Sequence, residues 1–113
     1  MANLNFYPFY ERLLRERKKC VTIRLGDQRS KYYVGEEVNL AVGWNEEASK
    51  LVDRVRITNV DFKRIEEIVE SDIDGESPDC TSKKQIPYVL SAIYRKVVTE
   101  QDYVTIVRWK YLE

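Results

Sequence analysis

Residues that bear chemistry concentrate in one stretch, KKCVTIRLGD, from Lys18 to Asp27. Its apolar residues alternate, so in a strand Val21, Ile23 and Leu25 point one way and Cys20, Thr22 and Arg24 the other. A lysine, a hydroxyl and a guanidinium thus gather about the start of one short strand. A solvated sheet face accepts any polar residues there, and Thr with Arg is common on such faces; a site needs these types. The chain has no histidine, which removes Ser-His-Asp and Cys-His nucleophile systems and the usual zinc sites in one step. Catalysis in this chain must draw on Lys, Thr, Ser, Tyr, Cys, Asp or Glu. Its two cysteines, Cys20 and Cys80, form neither a metal-ligand spacing nor a disulfide framework. No metal and no cofactor is expected.

With 113 residues the chain is long enough for one domain and one modest core. Hydrophobic residues at 43% against 34% charged, with only 4 Gly and 3 Pro, mark a globular composition. The formal net charge is zero, which argues against gripping nucleic acid by bulk charge. Its distribution is less even. Residues 1–31 hold eight Lys/Arg against three Asp/Glu, whereas residues 66–80 hold seven acids and no base. These two regions read first as solvated surfaces, and second as the walls of a cleft. The sequence has no apolar run of signal-peptide length and no segment able to span a bilayer, so a cytoplasmic protein is expected.

The elements that must position the stretch follow from periodicity. Phe6 to Lys18 predicts a helix, with Pro8 in its first turn and Phe9, Tyr10, Leu13 and Leu14 on one face. Strand Cys20–Leu25 ends at Gly26-Asp27. A short extended piece at Tyr32–Val34 leads through Gly35 to a strand over Glu37–Val42. Asn45 to Ser49 is a polar loop. Leu51–Arg64 predicts the longest strand, and its alternation shifts from Val55 and Ile57 to Val60 and Phe62, the mark of a bulge. A short helix near Glu66–Glu70 and a second from about Lys83 to Arg95 come next, with Ser82 and Gln85 as a capping box. Pro87 either kinks that second helix or delays its start. A strand over Tyr103–Leu112, apolar on both faces, closes the chain. Pairing this strand with an early one closes a small barrel.

In this order the segments resemble the ASCH domain, a small member of the PUA-like superfamily. The likeness rests on Lys19 with Val21-Thr22-Ile23-Arg24 after an aromatic-rich first helix, and on Tyr33-Val34-Gly35-Glu36-Glu37-Val38. It continues through Val55-Arg56-Ile57-Thr58-Asn59-Val60, Asp74-Gly75-Glu76-Ser77, the Leu90 to Tyr94 helix end and Val104-Thr105-Ile106-Val107. It covers nearly the whole chain, as a single ASCH domain over residues 1–113. The resemblance implies an α+β, mainly β fold: a small PUA-like barrel of about five to six strands with two or three capping helices. It implies a cleft for RNA or a modified nucleoside. Some small relatives are amidohydrolases that deacetylate N(4)-acetylcytidine with a lysine base, a threonine nucleophile three residues later, and a glutamate proton donor. Carried over by motif, these are Lys19, Thr22 and Glu76, with Asp74 and Asp79 as alternatives for the carboxylate. Cys20 departs from the threonine more usual there and removes no named role.

The chemistry constrains these roles. A threonine hydroxyl needs an adjacent base, and a lysine serves as one only if burial or a neighbouring cation disfavours its charge. Lys18 and Arg24 are the candidate neighbours. Lys19 and Thr22 are three apart, so a regular strand puts them on opposite faces; they converge only if Lys19 lies in the bend before the strand. Arg24 shares a face with Thr22 and is placed to hold a substrate oxygen. Alternatives are a non-catalytic RNA-binding module, using Arg15, Arg17, Lys18 and Arg24 on phosphates, and a ribonuclease in the same cleft. Trp44 follows Gly43 at a strand end. Core packing is its first reading, and stacking on a base, worth roughly 1–3 kcal/mol, the second.

Overall fold

Asn3–Phe6 is a strand (β1), where the sequence predicts the approach to a helix. The computed structural model describes residues 2–74 and 83–113, and in it β1 pairs in parallel with Glu37–Val42 (β3), Asn3 opposite Asn39 and Phe6 opposite Val42. The helix is correspondingly shorter than predicted. Tyr7 is extended, Pro8–Tyr10 form a 3₁₀ turn, and α1 spans only Glu11–Arg15. Pro8 permits helical backbone after itself and disfavours it in the residue before, which places the break at Tyr7.

α1 ends in a motif that aims the chain at the site. The Arg17 amide donates to the Leu14 carbonyl at 3.1 Å and the Lys18 amide to that of Leu13 at 2.9 Å. This is a Schellman closure with Arg17 in the left-handed region, φ 57°. A non-glycine residue there costs about 1–2 kcal/mol.

Val21–Leu25 (β2), Lys50–Arg64 (β4) and Tyr103–Tyr111 (β5) complete one sheet in the order β1-β3-β4-β5-β2. β5 pairs with both β2 and β4, so the last strand does pair with an early one. The sheet curls into a half-barrel whose inner face holds Leu4, Phe6, Val38, Leu40, Val55, Ile57, Val107 and Trp109. Its outer face over β2 and β5 is covered by helices, with Val21, Ile23, Val104 and Ile106 packed against Ile73, Ile86 and Leu90. β5 is therefore apolar on both faces because both are buried. β4 carries the bulge its alternation predicts: register against β5 shifts between Ile57 and Asn59. The extra residue lets Val55 and Ile57 before it, and Val60 after it, serve the same core.

Tyr32–Val34 is not a strand. Tyr32 is buried in the core while Tyr33 and Val34 are exposed, and Gly35, at φ +91°, turns the chain into β3. After β4 a 3₁₀ turn at Ile65–Glu67 precedes a one-turn helix at Glu70–Ile73 (α2), slightly later than predicted. The last helix (α3) spans Ile86–Tyr94 behind a 3₁₀ turn at Lys83–Gln85, so Pro87 sits in its first turn and no kink is needed. Ser82, the predicted cap, lies outside the described residues. No helix of the described residues is long and apolar enough to cross a membrane.

Candidate functional site

The sheet's two edge strands, β1 and β2, face each other without a backbone ladder between them. One side chain spans the seam. The Arg24 guanidinium donates through Nη2 to the Asn5 carbonyl of β1 at 3.0 Å and through Nε to Thr22 Oγ1 at 3.1 Å. Its Cζ lies 4.8 Å from the centroid of the Phe6 ring. Thr22 stands opposite Val107 and Arg24 opposite Thr105, so both face into the half-barrel.

Lys19 joins them because it precedes the strand. β2 starts at Val21, and the alternation breaks in the bend: Cys20 turns outward, where Arg108 Nη1 donates to its sulfur at 3.5 Å. Lys19 takes the inner side. It is only 3% exposed, with Nζ 5.3 Å from the Tyr10 ring centroid and 5.7 Å from that of Phe6. Two bonds hold the bend. Trp109 donates its amide to the Cys20 carbonyl at 3.0 Å, and the Tyr111 hydroxyl donates to the Lys19 carbonyl. Burial pushes the Tyr111 hydroxyl up to about 12, so it remains a donor at any physiological pH.

Lys19, Thr22 and Arg24 line a cavity of about 440 Å³ at the seam, closed on its far side by Ile86, Leu90 and Tyr94 of α3. That volume lies within the range of small-molecule sites, roughly 300–1,000 Å³. Tyr94 Oη accepts from the Leu25 amide at 3.1 Å and Tyr7 Oη donates to the Ile93 carbonyl at 3.4 Å, so α3 is tied to β2 and to the residue that follows β1. From the loop after β3, Asn45 and Glu46 reach the rim. Burial raises the Tyr32 hydroxyl above its ordinary pKa; the Arg24 charge opposes this and the Glu46 charge adds to it. Both charges therefore act on one hydroxyl.

Arg17, Lys18 and Trp44 lie outside the cavity lining. Arg17 binds Asp53 through Nε at 3.1 Å and the Leu112 carbonyl through Nη2 at 3.1 Å, outside the cavity lining. Lys18 is exposed and pairs with Glu16 at 3.4 Å. Trp44 is not in the core. It is 72% exposed, its ring 5.7 Å from that of Tyr7, which does line the cavity. Glu76 and its alternative Asp79 lie outside the described residues. Asp74 is exposed and its carbonyl takes the Cys20 thiol at 3.9 Å.

Sequence reasoning missed Asn5, Tyr7 and Glu46. Asn5 lies in a strand too short and too polar to register, NLNF, and Tyr7 in the segment whose spacing predicts the start of a helix. Asn5 Nδ2 donates to the Gly43 carbonyl at 3.4 Å, and its Oδ1 is buried without a hydrogen-bond partner among the described residues. Glu46 carried a signal that went unused, a carboxylate in a polar loop directly after Gly43-Trp44.

No protein-family model matches the chain and no curated protein does. Solved structures are similar to it. An ASCH domain from Lactobacillus crispatus JV V101 superposes with a TM-score of 0.68 at 13% identity, covering 97% of this chain and 79% of that one. Protein EF3133 of Enterococcus faecalis V583, of family DUF984, gives 0.65 at 11% identity over 99% of this chain and 80% of its own. Hypothetical protein PH0355 gives 0.60 at 16% over 96% and 98%. At these identities the likeness is one of fold: the described residues of this chain form an ASCH-like half-barrel of five strands with three short α-helices.

Proposed function

We propose that the seam cavity binds a modified nucleoside and hydrolyses its N-acyl group, with N(4)-acetylcytidine as the type substrate. The observation that carries this reading is the wall formed by Lys19, Thr22 and Arg24, in which the threonine oxygen is bonded to a guanidinium. Arg24 donates to the Thr22 oxygen and cannot accept from it, so the hydroxyl hydrogen remains for a base. In the proposed reaction Thr22 Oγ1 attacks the acyl carbonyl and its proton passes to the Lys19 amine. The tetrahedral intermediate expels the exocyclic amine of the base, which takes a proton as it leaves. Water then hydrolyses the threonyl ester and releases acetate. The scheme requires Lys19 as the neutral amine. Glu76 keeps, by resemblance alone, the role of proton donor to the leaving amine.

Acetate release from N(4)-acetylcytidine tests the reading. Wild type turns the nucleoside over; Thr22→Val abolishes turnover and keeps the circular dichroism spectrum and a melting temperature close to the parent's. Lys19→Arg also collapses activity while nucleoside affinity survives, because arginine keeps the charge and cannot serve as a base. Wild type giving no turnover above background across a range of acylated cytidines overturns it.

A second reading, an RNA-binding module without chemistry, is favoured by one observation: Phe9 and Trp44 are 62% and 72% exposed and both lean on Tyr7 at the cavity rim. Exposed rings beside a cleft suit base stacking. Against it, the Arg17 side chain is committed to Asp53, and residues 66–80 carry seven acids and no base.

A further inference from the structure

We infer that Glu46 reads the sugar of the ligand: its carboxylate accepts from the ribose hydroxyls and repels phosphate, so the cavity takes a free ribonucleoside in preference to a nucleotide or an RNA strand. This rests on the nucleoside reading and narrows its substrate class. The cavity has an inner wall and a mouth. Lys19 and Thr22 are 3% and 5% exposed at the inner wall, whereas Asn45 and Glu46 are exposed at the mouth. A nucleoside whose acyl group meets Thr22 must leave its sugar toward that mouth. Among the described lining residues Glu46 is the only carboxylate. Its side chain is also uncommitted. Glu11, Glu16, Glu37, Asp53 and Asp72 each hold a lysine or arginine, while no cation of the described residues pairs with Glu46.

The backbone beneath it is fixed. Asn45 Oδ1 accepts from the Ala48 amide at 2.8 Å and Ser49 Oγ donates to the Glu46 carbonyl at 2.8 Å. Gly43 lets the two arms of the loop close, since a Cβ there would stand 2.6 Å from the Ser49 Cα. A carboxylate offers two acceptor oxygens side by side, which suits the paired donors of a vicinal diol. The same charge disfavours a phosphate near the mouth.

Equilibrium binding to the full chain, with Thr22→Val as background to prevent turnover, tests this with four probes: N(4)-acetylcytidine, its 2′-deoxy analogue, its 5′-monophosphate, and a single-stranded oligonucleotide containing it. The ribonucleoside is expected to bind about tenfold more tightly than the monophosphate, and severalfold more tightly than the deoxy analogue. Glu46→Gln should bring the monophosphate within about twofold of the nucleoside and shrink the ribose preference, because the charge that repels phosphate is gone. Glu47→Gln, outside the lining, should change neither ratio. Equal binding of the nucleoside, deoxynucleoside and monophosphate overturns the inference and leaves the nucleoside reading standing. So does an oligonucleotide bound more tightly than the nucleoside, or discrimination lost in Glu47→Gln and retained in Glu46→Gln. Failure of every probe to bind overturns both.

Discussion

Arg17 and Arg24 stand on either side of one bend and are built alike. Each guanidinium lies over an aromatic ring, Arg17 5.3 Å from the Tyr111 centroid and Arg24 4.8 Å from that of Phe6. Each ties two distant segments, Arg17 reaching Asp53 and the Leu112 carbonyl, Arg24 reaching the Asn5 carbonyl. They differ in what completes the contact. Arg17 meets a carboxylate, so its charge is neutralised at the surface. Arg24 meets a carbonyl and a hydroxyl and no carboxylate of the described residues, and it faces a cavity. The first is a clasp; the second is a clasp whose charge is left for a ligand. Residue type and local sequence do not distinguish them, and the partner atoms do.

The largest effect is expected at Arg24 itself. Arg24→Lys keeps the charge but loses the fork that serves Thr22 and Asn5 together. Deacylase activity should fall about 10²–10³-fold, the usual loss when one fixed donor leaves a site. Arg17→Gly should leave activity unchanged. Its stability should stay within about 1 kcal/mol of the parent, because relief of the left-handed backbone offsets the exposed ion pair. Steady-state kinetics and urea unfolding on both variants check this. Equal activity losses would mean that Arg24 is a second structural clasp.

How much of this was legible follows the same division. The strands were readable because their apolar patterns are local: β2, β3 and β4 alternate, β5 is a run apolar on both faces, and even the β4 bulge shows in the step from Ile57 to Val60. β1 was not, since four residues with two asparagines carry no period, and only pairing to β3 makes them a strand. Thr22 and Arg24 sharing a face was readable from their spacing. The inward turn of Lys19 was readable only as a condition, that it lie in the bend, because the bonds from Trp109 and Tyr111 that fix the bend come from the far end of the chain. Trp44 went the other way, an indole whose exposure depends on how the loop behind Gly43 folds.

Those remote bonds give the intermediate effect. Tyr111→Phe removes the donor to the Lys19 carbonyl and should cost about 1 kcal/mol of stability near neutral pH. It should also lower activity severalfold by loosening Lys19. The effect depends on pH with a definite sign. The folded hydroxyl titrates at about 12, above its ordinary value of 10.0. Its stabilising share is therefore whole below pH 10 and is lost as pH rises toward 12, where the unfolded chain gives up the proton first. The gap between wild type and Tyr111→Phe should narrow across that window in denaturant titrations at pH 8 and pH 11. A gap that widens would show that the hydroxyl contributes through packing of its ring neighbours and not through its proton.

A third arginine completes the series and carries the smallest effect. Arg29 lies over the Phe62 ring at 4.2 Å and holds Asp27 by two bonds, Nε to Oδ1 at 2.9 Å and Nη2 to Oδ2 at 2.8 Å. It follows β2 as Arg17 precedes it, and like Arg17 it is neutralised at the surface. The Arg29 side chain, with help from its backbone amide, holds the Asp27 carboxyl down to about 2. A lowered carboxylate stabilises the fold above the unfolded value of about 4 and loses that share as pH falls toward 2. Asp27 is fully exposed, so water and salt screen the pair strongly and its share of stability is small. Asp27→Asn should therefore leave activity and neutral-pH stability unchanged, and slightly flatten the loss of stability between pH 4 and pH 2. Measuring unfolding at pH 2.5 and pH 6, in low and high salt, reads the difference. If Asp27→Asn lowered nucleoside affinity, the Arg29 clasp would have to act on the cavity through β2, and the division drawn between Arg17 and Arg24 would not extend along the strand.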